Sequence, residues 1–142
     1  MNMRVDDCMT KRVVSVKPRD SAVHARAVME EHRINQLPVL EGTKLVGIVT
    51  DRDLRDAFPS LAETLVTPTR TPKGGEPDKI PVEDLMARDL LTVTPETSLA
   101  MAARELRRQR IGALPVLQGG RLVGILTRSD LLDALVRLLG DG

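Results

Sequence analysis

An α+β fold made of two copies of one β-α-β-β-α unit, related by a pseudo-twofold axis, is predicted by three observations. Shifted by 77 positions, Val5–Ala57 lies over Val82–Ala134 without a gap, and 23 of the 53 pairs are identical. Within each copy, short apolar runs alternate with segments of helical period. A stretch rich in Pro and Gly, 59–80, has no counterpart in the repeat. Self-similarity at a fixed period marks one supersecondary unit used more than once. The organisation expected is a first repeat over 1–58, a linker over 59–80 and a second repeat over 81–142.

Val5–Met9 predicts a short turn of helix. Val13-Val14-Ser15-Val16 is an apolar run that reads as a strand and ends at Pro18. Asp20 or Ser21 can cap the helix that follows. Ala22, Ala25, Val28 and Met29 carry its apolar period to about His32. Gln36–Leu40 and Leu45–Val49 are β-rich and flank the turn residues Glu41-Gly42-Thr43, so the pair reads as a hairpin. Thr50 can cap a second helix, Asp51–Phe58. The second repeat predicts a strand at Leu90–Val93, a helix at Ser98–Gln109, a hairpin at Ala113–Leu126 and a helix at Ser129–Leu139. In the linker, Pro68, Pro72 and Pro77 with Gly74-Gly75 oppose regular structure, leaving room for a short helix near Leu61–Leu65. An inert connector is favoured over a lid.

Composition narrows the function. Apolar residues are 42% and charged residues 29%, ordinary for a globular chain of 142 residues. A net charge of +1 gives no reason to expect a polyanion partner. Phe58 is the only aromatic residue, so the chain lacks a stacking platform for single-stranded nucleic acid, and a planar ligand would meet aliphatic walls and backbone. Cys8 is the single cysteine, which excludes an intrachain disulfide, fits a reducing compartment and is expected to be a partly buried, unreactive thiol. No apolar run reaches the roughly 18 residues of a membrane span. Asp6-Asp7 after the first five residues is unlike a secretory leader. A cytoplasmic protein is expected, with no membrane partner.

The polar chemistry concentrates where a buried strand turns into a helix: Gly47-Ile48-Val49-Thr50-Asp51-Arg52-Asp53 and Gly124-Ile125-Leu126-Thr127-Arg128-Ser129-Asp130. Glycine permits close backbone approach to a ligand. The threonine hydroxyl stands at a helix N-terminus, which favours anions such as phosphate. The aspartate three residues on can accept two hydrogen bonds from a vicinal diol such as a ribose. Arg52 and Arg128 are near enough in sequence to neutralise a phosphate. A plain capping box, with Thr at the N-cap and an acid at N3, explains the same residues without any ligand.

The markers Asp7-Cys8-Met9-Thr10, Ser15-Val16-Lys17-Pro18 and Arg33-Ile34-Asn35-Gln36-Leu37-Pro38-Val39 lead into the first of those segments. Asp84-Leu85-Met86, Thr92-Val93-Thr94-Pro95 and Arg110-Ile111-Gly112-Ala113-Leu114-Pro115-Val116 lead into the second. With them the chain resembles a tandem pair of CBS domains, the module named after cystathionine β-synthase, over nearly its whole length apart from the linker and the last residues. The resemblance implies two clefts between the repeats that bind adenosine-containing ligands: AMP, ADP, ATP or S-adenosylmethionine. It sets Thr50 and Asp53 opposite Arg88, Leu90, Gly112 and Ala113. It sets Thr127 and Asp130 opposite Lys11, Val13, Asn35 and Gln36. Small Gly112-Ala113 against bulkier Asn35-Gln36 implies unequal affinities, with the Asp53 cleft the roomier.

Other features carry less. His24 and His32 lack acidic or thiol companions at ligand spacing, so no metal is expected. No nucleophile–base pair suggests catalysis, and no catalytic cofactor is expected. Arg104, Arg107, Arg108 and Arg110 form a basic cluster too isolated for nucleic acid. Arg107 and Arg108 align with Glu30 and Glu31, which suggests a head-to-tail homodimer pairing them. The function expected is a non-enzymatic sensor whose ligand is an adenine nucleotide or S-adenosylmethionine and whose regulated protein lies in trans. The alternative is a ligand-free dimerisation module.

Overall fold

The computed structural model describes residues 2–57 and 79–140; the helix expected near Leu61–Leu65 lies outside the described residues. The elements are α1 (Ala22–His32), β1 (Gln36–Glu41), β2 (Lys44–Thr50), α2 (Asp51–Ala57), α3 (Leu99–Gln109), β3 (Ala113–Gln118), β4 (Arg121–Thr127) and α4 (Arg128–Leu139). Single 3-10 turns at Val5–Asp7 and Val82–Asp84 precede them in each repeat. The mixed helix-and-strand architecture is as expected, with two separate two-stranded antiparallel sheets.

The helices start and stop where their caps dictate. Ser21 accepts the His24 amide at 3.0 Å, and Ser98 accepts the Met101 amide at 3.0 Å. Asp20, the other candidate cap, instead accepts the Lys17 amide in the preceding turn. Both helices end at an arginine in the left-handed region, Arg33 and Arg110, each at φ 54°. The following isoleucine amide reaches back to Met29 in one repeat (3.0 Å) and Leu106 in the other (3.2 Å), the Schellman arrangement.

Each hairpin has the same register. Gln36 pairs with Thr50 and Glu41 with Lys44, with an irregularity after Val39; Ala113 pairs with Thr127 and Gln118 with Arg121, with an irregularity after Val116. The strands expected at Val13–Val16 and Leu90–Val93 are not strands. Each is a single parallel β-bridge, Val16 to Val39 and Val93 to Val116. The reason is proline. Val16 donates to the Pro38 carbonyl (3.0 Å) and accepts from the Leu40 amide (2.9 Å). Extending that ladder either way would need an N–H from Pro38 or from Pro18, and neither has one. Pro115 and Pro95 stand at the same places in the second repeat.

The compact units do not follow the sequence repeats. One comprises Val14–Leu90, the other Met1–Val13 with Leu91–Gly142. The leading segment of each repeat therefore packs on the helices and hairpin of the other. Ala22 donates to the Ile80 carbonyl (2.8 Å), Val82 to that of Asp20 (2.8 Å) and Glu83 to that of Pro18 (2.9 Å). In the second unit Leu99 donates to Met3 (2.8 Å), Val5 to Thr97 (2.8 Å) and Asp6 to Pro95 (3.0 Å). Val82 lies in one core with Met29, Leu37, Val39, Val49 and Leu54. Val5 lies in the other with Leu106, Leu114, Val116, Leu126 and Ala134. These apolar side chains, removed from water, hold each unit together.

Candidate functional site

In each unit a buried strand end delivers Thr50 or Thr127 to the start of a helix. The two segments are built alike. The Thr50 amide donates to Asp53 Oδ2 (2.9 Å), and the Asp53 amide donates to Thr50 Oγ1 (3.1 Å). The Thr127 amide donates to Asp130 Oδ2 (2.8 Å), and the Asp130 amide donates to Thr127 Oγ1 (3.2 Å). Both are reciprocal capping boxes. The structural role weighed against ligand binding is thus present, and it uses one oxygen of each carboxylate. The other oxygens differ: Thr10 Oγ1 donates to Asp130 Oδ1 at 2.9 Å, whereas Asp53 Oδ1 has no partner among the described residues.

Gly47 and Gly124 were expected to let a ligand approach the backbone. Their crowding neighbours are side chains and carbonyls of the exchanged segments. A Cβ at Gly47 would come within 2.5 Å of Met86 Sδ and 2.9 Å of the Ala87 carbonyl oxygen. A Cβ at Gly124 would meet Met9 Sδ at 2.6 Å and the Thr10 carbonyl oxygen at 3.1 Å. Each glycine thereby lets the exchanged segment pair with the strand: Ala87 trades both backbone hydrogen bonds with Ile48, and Thr10 with Ile125.

The unit of 14–90 holds Asn35, Gln36, Thr50, Arg52, Asp53, Arg88 and Leu90. Gln36 pairs with Thr50 across the hairpin, and the Asn35 carbonyl accepts the Asp51 amide (2.8 Å), so both adjoin the threonine of their own repeat. Arg88 is exposed and donates to the Glu83 carbonyl (3.2 Å). Arg52 is exposed and faces Asp56 at 3.9 Å, a surface pair of little energetic weight. The second unit holds Lys11, Val13, Gly112, Ala113, Thr127, Arg128 and Asp130. Ala113 pairs with Thr127, and the Gly112 carbonyl accepts the Arg128 amide (3.3 Å). Arg128 itself borders a groove of about 920 Å³ between α3 and α4, walled by Met3, Leu99, Leu131, Leu135 and Leu138.

Sequence reasoning passed over Thr10 as a site residue. The sequence carries half of the signal: at aligned positions the first repeat has Thr10 and the second Ala87, a hydroxyl against a methyl, while the aspartate that each one meets is set by packing. Cys8 is half-buried, and burial pushes its thiol above the ordinary range despite Arg137 Nη2 at 3.5 Å. No group of three or more His, Cys, Asp or Glu among the described residues could hold a metal. No helix among them is long and apolar enough to cross a membrane.

A family model for the CBS domain matches twice, over residues 5–60 and 82–137. Among curated proteins, an inosine-5'-monophosphate dehydrogenase of Korarchaeum cryptofilum is 36% identical over 128 residues. That match takes in 89% of this chain but only 23% of the dehydrogenase, so the chain spans under a quarter of that relative. Among solved structures, the CBS-pair protein CBSX2 of Arabidopsis thaliana in complex with AMP is 34% identical, with a TM-score of 0.77, over 96% of this chain and 98% of that one. The CBS pair of protein MJ0100, in complex with 5'-methylthioadenosine and S-adenosylmethionine, is 25% identical with a TM-score of 0.74, over 95% of this chain and 97% of that one.

Proposed function

The chain belongs to the CBS-domain family, and from that premise we propose that it is a non-enzymatic, cytoplasmic regulatory module that binds an adenosine-containing ligand. AMP, ADP, ATP and S-adenosylmethionine are the candidates, and none is a catalytic cofactor here. Occupancy becomes a signal only if the ligand prefers one of two states, which a regulated protein in trans then reads. One observation carries the reading: both repeats keep a Thr–Asp pair in register at a strand-to-helix junction, in a chain that aligns over 96% of its length with an AMP-bound relative. Asp53 and Asp130 would take the ribose hydroxyls, Thr50 and Thr127 the ribose or phosphate. Arg52, Arg88, Arg128 and Lys11 are the cations available to phosphates. Leu90, Val13, Gly112, Ala113, Asn35 and Gln36 would line the base.

Calorimetry with AMP, ATP, NADH and S-adenosylmethionine on the wild type and on the double variant Asp53→Ala, Asp130→Ala tests this. The expected result is heat with at least one ligand, lost in the double variant. No binding by any of the four would remove the reading.

The second reading is a ligand-free module acting through homodimerisation. It is favoured by the apolar side chains that α4 leaves in water, Leu132, Leu135, Val136, Leu138 and Leu139. The head-to-tail pairing of Glu30 and Glu31 with Arg107 and Arg108 is weakened by engagement within their own helices: Arg26 faces Glu30 at 3.3 Å and Arg108 faces Glu105 at 3.5 Å. Sedimentation of Glu30→Lys, Glu31→Lys separates the possibilities. An unchanged association constant would rule out the charge pairing and leave the α4 face as the candidate contact.

A further inference from the structure

The two Thr–Asp pairs are equivalent in sequence and in their capping geometry, but the second carboxylate oxygen is not equivalent. Thr10 and Ala87 occupy the same structural position, each exchanging a pair of backbone hydrogen bonds with the isoleucine that follows Gly124 or Gly47 (2.9 and 3.0 Å for Thr10, 2.8 and 3.0 Å for Ala87). From that position the Thr10 hydroxyl reaches Asp130 Oδ1 at 2.9 Å. The Ala87 methyl has nothing to donate, and Asp53 Oδ1 has no partner among the described residues. We propose that Thr10 sets the order of binding: it takes one acceptor site of Asp130 Oδ1, so a diol-bearing ligand engages Asp53 first and must compete with the Thr10 hydroxyl at Asp130.

This inference rests on the reading above, in which the two aspartates grip a ribose. A vicinal diol offers two donors, and a carboxylate binds it best with a hydroxyl on each oxygen or both on a fully open one. In both repeats Oδ2 already accepts the cap amide. The first ligand hydroxyl therefore lands on Oδ1. At Asp53 it meets no protein donor among the described residues. At Asp130 it competes with the Thr10 hydroxyl for that oxygen. A net hydrogen bond of ordinary strength makes this a difference of about fivefold in affinity. The exchanged segment thereby couples to occupancy, because residue 10 sits on the segment of residues 2–10, whose Val5 closes its unit's core.

The test is AMP calorimetry on the full chain, with each aspartate removed in turn so that one site is read at a time. In the Asp53→Ala background, adding Thr10→Ala should tighten AMP binding about fivefold. In the Asp130→Ala background, adding Ala87→Thr should weaken it by a similar factor. Circular dichroism melts establish that each variant is folded. If both substitutions leave the binding constants unchanged, or Thr10→Ala weakens binding because its oxygen itself holds the ligand, the proposed order is overturned while the ribose reading survives. If wild-type AMP binding persists in the double aspartate variant, both fall together; a wild type that does not bind AMP overturns the proposed order, and the ribose reading falls with it only if ATP, NADH and S-adenosylmethionine also give no heat.

Discussion

At Gly47 and Gly124 a missing Cβ makes room for a methionine sulfur and a backbone carbonyl. The sulfur can swing aside, whereas the carbonyl is fixed by the strand pairing. Gly47→Ala and Gly124→Ala are therefore expected to cost about 1–3 kcal/mol each in urea denaturation, the usual range for overpacking. Arg33 and Arg110 carry the opposite lesson. Both hold a left-handed backbone that a side chain resists, so Arg33→Gly and Arg110→Gly should each stabilise by roughly 0.5–1 kcal/mol in the same assay. Neither arginine could be recognised as a left-handed C-cap from its type, since glycine is the usual signal. The glycines were legible as places of close approach, but the sequence does not say what approaches. That depends on a segment arriving from the other repeat.

Among elements, the helices were the most legible. Ser21, Thr50 and Thr127 cap where their residue types place them, and Ser98, expected as the first residue of its helix, is its cap instead. Hydroxyl-to-amide bonds close within three residues, so local sequence suffices. Thr50→Ala and Thr127→Ala should each lower unfolding stability by about 1 kcal/mol, read from the urea midpoint at constant slope. A ligand-binding role alone would leave apo stability unchanged, so this measurement separates capping from binding in the same two residues. The apolar runs Val13–Val16 and Leu90–Val93 predict strands but form single bridges, because an apolar run announces burial, not pairing. Pro18 with Pro38, and Pro95 with Pro115, remove the donors that would lengthen each bridge into a ladder. That information lies in the sequence, but only once the register is known.

Across the whole molecule, the decisive feature is the exchange of leading segments. Val82 belongs to the core around Leu37 and Val49, and Val5 to the core around Leu114 and Leu126, and both are fully buried. Val82→Ala should therefore destabilise the unit of the first repeat, and Val5→Ala that of the second, each by about 2 kcal/mol for two methyl groups and the space they leave. Hydrogen exchange reads the difference by place: protection should fall in β1 and β2 for Val82→Ala, and in β3 and β4 for Val5→Ala. Loss in the same repeat as the substituted residue would contradict the exchange. The duplication, the order of helices and hairpins, the caps and the in-register Thr–Asp pairs could all be read along the chain, because each is written within a few residues or in a repeat. Which core receives which leading segment could not. Val5 and Val82 stand in nearly identical contexts and fit either site locally, so their destination is settled by long-range packing. That packing also places Thr10 against Asp130 and Ala87 at the matching position of the other unit, and so makes two look-alike carboxylates chemically distinct.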